Sequence, residues 1–194
     1  KIRSRKLGSK LVKDGYKPGD ILATLALNTH RHLEAYYGIS GIGAITHTLN
    51  FRLHPEQAVY IINHAEDKII FVEAPFIPLL EALQDKIPSV EKFIVFCDKE
   101  EMPETSLKNC VSYEEYIEDG DDNFEWPKLP DDAACGLCYT SGTTGNPKGV
   151  LYSHKSTILH AISAAAPKTL KVQPDDSSLV VVPMFHVMAW GVPY

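Results

Sequence analysis

Short apolar runs alternate with longer amphipathic stretches through the first half of the chain. The runs at 21–27, 68–72 and 93–96 are brief and rich in β-branched or aromatic residues, so each predicts a buried strand. Between them the spacing turns helical. Residues 1–14 place Leu7, Leu11 and Val12 on one side, with Gly15 as a C-cap and Lys17-Pro18-Gly19-Asp20 as a turn. Residues 31–45 predict a helix whose Gly38, Gly41 and Gly43 allow close packing. Residues 54–64 open with Pro55 at a helix start, followed by Glu56, and 78–86 predict one more helix. Strands alternating with helices predict an open, mostly parallel α/β sheet flanked by helices over residues 1–97.

Residues 98–132 read as an exposed acidic connection with one short helix over 113–117. Residues 133–194 change texture. An apolar run at 134–139, a loop of small, hydroxyl and basic residues at 140–149, and a second apolar run at 150–152 predict strand, loop and strand. Ser153 or Ser156 is placed to cap a helix extending through Ala166. A last strand is predicted at 179–182, ending at Pro183.

The composition is that of a globular protein, 44% hydrophobic and 23% charged, with a net charge of −6. That balance disfavours a nucleic-acid partner. Charge is nonetheless uneven: seven basic residues fall in the first seventeen positions against Asp14, while 13 of the 25 acids lie in 98–132. The basic run is read as a solvated helix face. No apolar stretch reaches the roughly 18 residues of a membrane span, and no signal peptide is visible. Cys97, Cys110, Cys135 and Cys138 are too few for a disulfide framework. Cys135-Gly-Leu-Cys138 has the spacing of redox and zinc sites, yet i and i+3 on a strand face opposite ways, so structural cysteines in a reduced cytoplasmic protein are expected.

The candidate chemistry lies in Thr140-Ser141-Gly142-Thr143-Thr144-Gly145-Asn146-Pro147-Lys148-Gly149. Glycines permit close backbone approach, and successive backbone N–H groups form an anion-binding concavity. Four hydroxyls can meet phosphate oxygens or a hard cation, and Lys148 adds a mobile point charge. A Walker A loop is excluded because Pro147 precedes Lys148 and Gly149 replaces the metal-binding hydroxyl. A dinucleotide fingerprint fails on its glycine spacing. A plain Gly/Thr hairpin loop stays open as the alternative to phosphate binding.

Residues 140–149 resemble the phosphate loop of the adenylate-forming superfamily, which includes acyl-CoA synthetases, luciferases and peptide-synthetase adenylation domains. Lys17-Pro18-Gly19-Asp20, the segment from Gly43 to Asn50, and Pro183-Met184-Phe185-His186 extend the likeness over essentially the whole chain. In detail it looks similar to the branch of medium-chain and methylthiopropionate-CoA ligases, with Met188 standing where that branch is expected to carry Asn. The resemblance implies a partial N-terminal large domain over 1–194. It implies ATP-dependent activation of a carboxylic, fatty acid to an acyl-adenylate, followed by transfer to coenzyme A.

By the same resemblance Thr140, Ser141, Gly142, Thr143, Thr144, Gly145 and Lys148 bind the nucleotide's phosphates, Thr140 also reaches Mg²⁺, and Lys148 and His186 are catalytic. His186 and Trp190 are expected at the acid pocket, and a homodimer is compatible with the reading. The family's adenine, ribose, hinge and catalytic-Lys motifs are expected beyond Tyr194, so the chain is read as part of a longer protein. An amino-acid adenylation domain and a non-catalytic nucleotide-binding fragment are the alternatives. His30, His32, His154 and His160 lack convergent ligand spacing and are expected to be structural.

Overall fold

The computed structural model describes residues 1–140, 146–166, 168–170, 173 and 175–194. Its chain order is α1 (Ile2–Lys13), β1 (Ile21–Leu25), α2 (His30–Gly41), β2 (Ile45–Thr48), α3 (Pro55–Ala65), β3 (Ile69–Val72), α4 (Ile77–Leu83), β4 (Lys92–Val95), β5 (Cys110–Ser112), α5 (Tyr113–Ile117), β6 (Ala134–Thr140), β7 (Lys148–Ser153) and α6 (His154–Ala165). The strands form one sheet in the order β5-β4-β3-β1-β2-β6-β7. Every described pair is parallel except the β6–β7 hairpin. The expected open, mostly parallel sheet flanked by helices is the fold observed.

Two apolar layers cover the sheet. On one face α1, α2 and α5 bring Leu7, Leu11, Ile39 and Tyr116 against Leu22, Phe71 and Ile94. On the other, α3 and α4 bring Ile61, Ile62 and Leu80 against Ala23, Ile70 and Val95. Strands buried on both faces carry apolar side chains in both directions, which is why they read as runs rather than alternations.

Local signals fix the helix starts. Thr29 accepts from the His32 amide and Ser112 from the Glu115 amide. Ser153 and Ser156 form a reciprocal capping box at α6. Among the described residues α6 buries none of its side chains; Ile158, Leu159 and Ile162 are exposed.

The structure departs from the sequence reading in four places. The second helix ends at Gly41, not at Ile45, which instead starts β2. Gly43 adopts φ +82° and packs against Leu129 and Pro18, a conformation that ends a right-handed helix. Residues 98–132 are not a purely exposed connection. They contribute edge strand β5 and bury Leu107, Tyr113, Tyr116 and Ile117.

The basic face of α1 is not simply solvated, because the acidic segment covers part of it. Arg3 pairs with Glu34 and Glu114, Lys10 with Asp14 and Asp119, and Lys6 donates to the Glu118 carbonyl. Finally, residues 179–182 form no strand; Leu179 and Val181 are 89% and 78% exposed.

Candidate active site

Parallel β1, β2 and β6 end on the same sheet edge, where ligand crevices of open α/β sheets form. Three connections meet there. The chain leaving β1 carries Asn28, β2 ends at Thr48, and β6 ends at Thr140.

Thr140 is exposed and pairs across the hairpin with Lys148, its hydroxyl donating to the Lys148 carbonyl at 3.4 Å. The phosphate-loop candidate is therefore held at its neck by these two residues, and both side chains are open to solvent. Ser141, Gly142, Thr143, Thr144 and Gly145 lie outside the described residues.

Beneath the neck, Tyr139 touches α3 and β2. Its hydroxyl lies 2.6 Å from His64 Nδ1, and its ring centroid lies 5.1 Å from that of His47. His47 and Asp67 form a fully buried pair, with Nδ1 2.8 and 3.0 Å from the two carboxylate oxygens. Burial pushes the Asp67 carboxyl up, and the adjacent His47 pulls it back. Among the described residues His47 Nε2 has no hydrogen-bond partner.

The segment bearing His186 and Trp190 is fastened to the ends of β1 and β2 by side chains. Asn28 donates to the carbonyls of Val180 and Val182, both at 2.9 Å, and accepts from the Met184 amide at 2.8 Å. Thr48 donates to the Phe185 carbonyl at 3.1 Å, and Tyr36 donates to that of Met184.

Val187–Trp190 then makes one left-handed turn, with φ between 48° and 57° at four successive non-glycine residues. At roughly 1–2 kcal/mol per residue this conformation is costly, and the surrounding contacts must hold it. Met188 is seated on β6, where Gly136 leaves room for its side chain.

His186 is exposed, and Trp190 is 61% exposed. Trp190 borders a cavity of about 250 Å³ between the turn and α6, lined also by Tyr152, Thr157, His160, Met188 and Tyr194. His186 does not line that cavity. The structure thus pairs Thr140 with Lys148 and puts Trp190 at a cavity. It does not draw all four into one contact.

The remaining histidines divide. His32 is buried, with Nδ1 2.8 Å from the Leu27 carbonyl and Nε2 2.9 Å from the Thr24 hydroxyl, and burial pushes its pKa down to about 4. His160 instead bonds the Trp190 carbonyl, a contact the sequence reading missed. It also missed Asn28 and the His47–Asp67 pair, since all three depend on partners far along the chain.

The cysteines are free, and burial raises the thiols of Cys135 and Cys138. They nonetheless share a face. An irregular register between Ala134 and Gly136 shifts the alternation by one residue. Cys135 meets Tyr152 and Thr157, while Cys138 packs with Tyr36 and Met188. Among the described residues no group of three His, Cys, Asp or Glu side chains is placed to hold a metal, and no helix is long and apolar enough to cross a membrane.

Residues 1–194 match the family described as AMP-binding enzyme. A medium-chain-fatty-acid–CoA ligase of Ectopseudomonas oleovorans is 48% identical over 193 residues, covering 100% of this chain and 35% of the relative. A 3-methylmercaptopropionyl-CoA ligase of Ruegeria pomeroyi is also 48% identical, over 98% of this chain and 35% of its own length. The inhibitor-bound N-terminal domain of FACL13 from Mycobacterium tuberculosis superposes with a TM-score of 0.83 at 27% identity, over 99% of this chain and 45% of that one. The chain therefore spans about a third of the length of the curated relatives it matches.

Proposed function

The chain belongs to the AMP-binding enzyme family, and we propose that it forms the phosphate-gripping N-terminal part of an AMP-forming acid–thiol ligase acting on a fatty acid. The names of the two ligases above support a carboxylic acid without an α-amino group as substrate, rather than an amino acid. In the first half-reaction the acid's carboxylate oxygen attacks the α-phosphorus of ATP. The bond from that phosphorus to the bridging oxygen of the β-phosphate breaks, and pyrophosphate departs. In the second, the thiolate of coenzyme A attacks the acyl carbon and AMP leaves.

Charge builds on the leaving pyrophosphate, so preorganised donors at its β- and γ-phosphates accelerate the first half. Ser141, Gly142, Thr143, Thr144 and Gly145 are assigned to that grip. Lys148 supplies its positive charge from the start of β7, directly across the hairpin from Thr140. The exposed Thr140 hydroxyl suits Mg²⁺, a hard cation usually held by few protein oxygens together with substrate phosphates and water. When bound, the ion neutralises phosphate charge. His186 is assigned to orienting the acid's carboxylate, and Trp190 to walling the acyl tail. The four free cysteines suit a reducing compartment, and the cytoplasm is the proposed one.

The observation that carries this reading is the hairpin neck opening at the carboxyl edge of β1, β2 and β6, where the segment bearing His186 is also fastened. In the full-length enzyme, Lys148→Ala should slow ATP–pyrophosphate exchange by about 10²–10³-fold, the loss expected for one preorganised donor. Wild-type exchange in that variant would take the loop out of the mechanism.

A further inference from the structure

The turn bearing Trp190 adopts a backbone that its own residues disfavour. Val187, Met188, Ala189 and Trp190 have φ of 48°, 51°, 50° and 57°, and Gly191 follows at 72°. L-residues enter this region singly, so a run of four persists only where neighbours over-determine it. Its N-terminal side is held by Asn28, Tyr36 and Thr48, as described above. Its C-terminal side is held from α6. His160 Nε2 lies 2.8 Å from the Trp190 carbonyl. A carbonyl only accepts, so Nε2 carries the proton in this contact.

Gly191 presses on the same ring: a Cβ there would come within 2.5 Å of His160 Cδ2. The Ser153–Ser156 capping box fixes where α6 begins, and His160 lies one helical turn beyond Ser156. The imidazole and the turn both line the cavity of about 250 Å³ that lies between them.

We infer that His160 is a positioning residue for Trp190, holding the left-handed turn through the Trp190 carbonyl and so setting the chain length the cavity accepts. It acts through the backbone that carries the indole and touches no reacting atom. The inference about acid selection rests on the proposed role of Trp190 as a pocket wall. The positioning itself rests only on the contacts just given.

The test uses the full-length ligase with 5-fluorotryptophan incorporated, the Trp190 ¹⁹F resonance being assigned by its loss in Trp190→Phe. His160→Ala should shift or broaden that resonance, and His160→Gln, which can still donate to the carbonyl, should restore it. His160→Ala should also change the ratio of kcat/KM between short and long acids by roughly two- to tenfold, the scale of one hydrogen bond. It should do so without a uniform loss of kcat.

An unmoved Trp190 resonance in folded His160→Ala would overturn the positioning inference, whatever the activity. A moved resonance with unchanged chain-length ratios would uphold the positioning and refute Trp190 as the pocket wall. If His160→Ala does not fold, His160→Gln decides. A Gln variant with the wild-type resonance supports the inference, and one with a displaced resonance despite native unfolding behaviour refutes the carbonyl contact as the hold.

Discussion

Asn28 carries more of the candidate site's geometry than its exposed position suggests. Its amide nitrogen donates to two carbonyls, Val180 and Val182, and its oxygen accepts from the Met184 amide. Among the described residues no strand ladder holds 179–182, and the Asn28 side chain supplies backbone hydrogen bonds there of the kind a β-partner would give. Each neutral hydrogen bond contributes about 0.5–1.5 kcal/mol net, and water replaces part of that at an exposed residue. Asn28→Ala should therefore destabilise the segment by about 1–2 kcal/mol. Amide exchange at Met184, followed by mass spectrometry or NMR, should quicken roughly five- to thirtyfold, since that free energy sets the opening equilibrium.

Asn28→Asp distinguishes the donors from the acceptor. It keeps an oxygen for the Met184 amide but turns a second one toward the Val180 and Val182 carbonyls, where the donors stood at 2.9 Å. At neutral pH the aspartate should be less stable than the alanine variant in thermal unfolding. Acidification through the carboxyl's titration should narrow the gap by returning one donor. An Asp variant as stable as wild type at neutral pH, or Met184 exchange unchanged in Asn28→Ala, would show that Asn28 does not hold this segment.

Two further expectations concern charge. Asp67→Ala should cost about 1–3 kcal/mol by leaving His47 Nδ1 buried without its hydrogen-bond partner, with Asp67→Asn milder; a loss below about 0.5 kcal/mol in denaturant unfolding, roughly the least a buried hydrogen bond contributes, would contradict the buried pair. Glu114 is held at about 2, chiefly by its hydrogen bonds to the Arg3 guanidinium, with burial opposing and Arg31 assisting. A carboxyl depressed from 4.5 stabilises fully above that pH and progressively less as pH falls toward 2. Urea midpoints of Glu114→Gln should thus fall less steeply than wild type across that window, and parallel acid limbs would exclude the linkage.

Much of the fold was legible because local and long-range signals agreed. The short helix expected around 113–117 is observed at Tyr113–Ile117, and of the two serines expected to cap α6 Ser153 is the N-cap, because a hydroxyl followed by helix-compatible spacing acts within one turn. The buried strands announced themselves through β-branched runs. The hairpin was legible from two apolar runs flanking a stretch rich in glycine and hydroxyl residues.

What escaped depends on contacts distant in sequence. Arg3 meets Glu114 from 111 positions away. The clustering of bases in one segment and acids in another was visible, but not that the two pack together. The Cys135–Cys138 alternation failed for a single-residue reason: one irregular step in register turns every later side chain of a strand over.

The turn at Val187–Trp190 marks the deepest gap between sequence and structure. Val, Met, Ala and Trp carry no preference for left-handed backbone, so propensity points away from the conformation observed. Only Gly191 hints at it, as the residue that can follow such a turn at φ 72° while fitting beside His160. The conformation is imposed from outside, by Asn28 after β1, Thr48 in β2, Gly136 in β6 and His160 in α6. Four separate elements converge on a few residues whose local preference is for something else. Such disagreement between local preference and surroundings is where functional strain collects. It falls on the stretch that carries Trp190, which makes this turn, more than the well-formed core, the part of the chain where substitution tests the proposed selection of the acid.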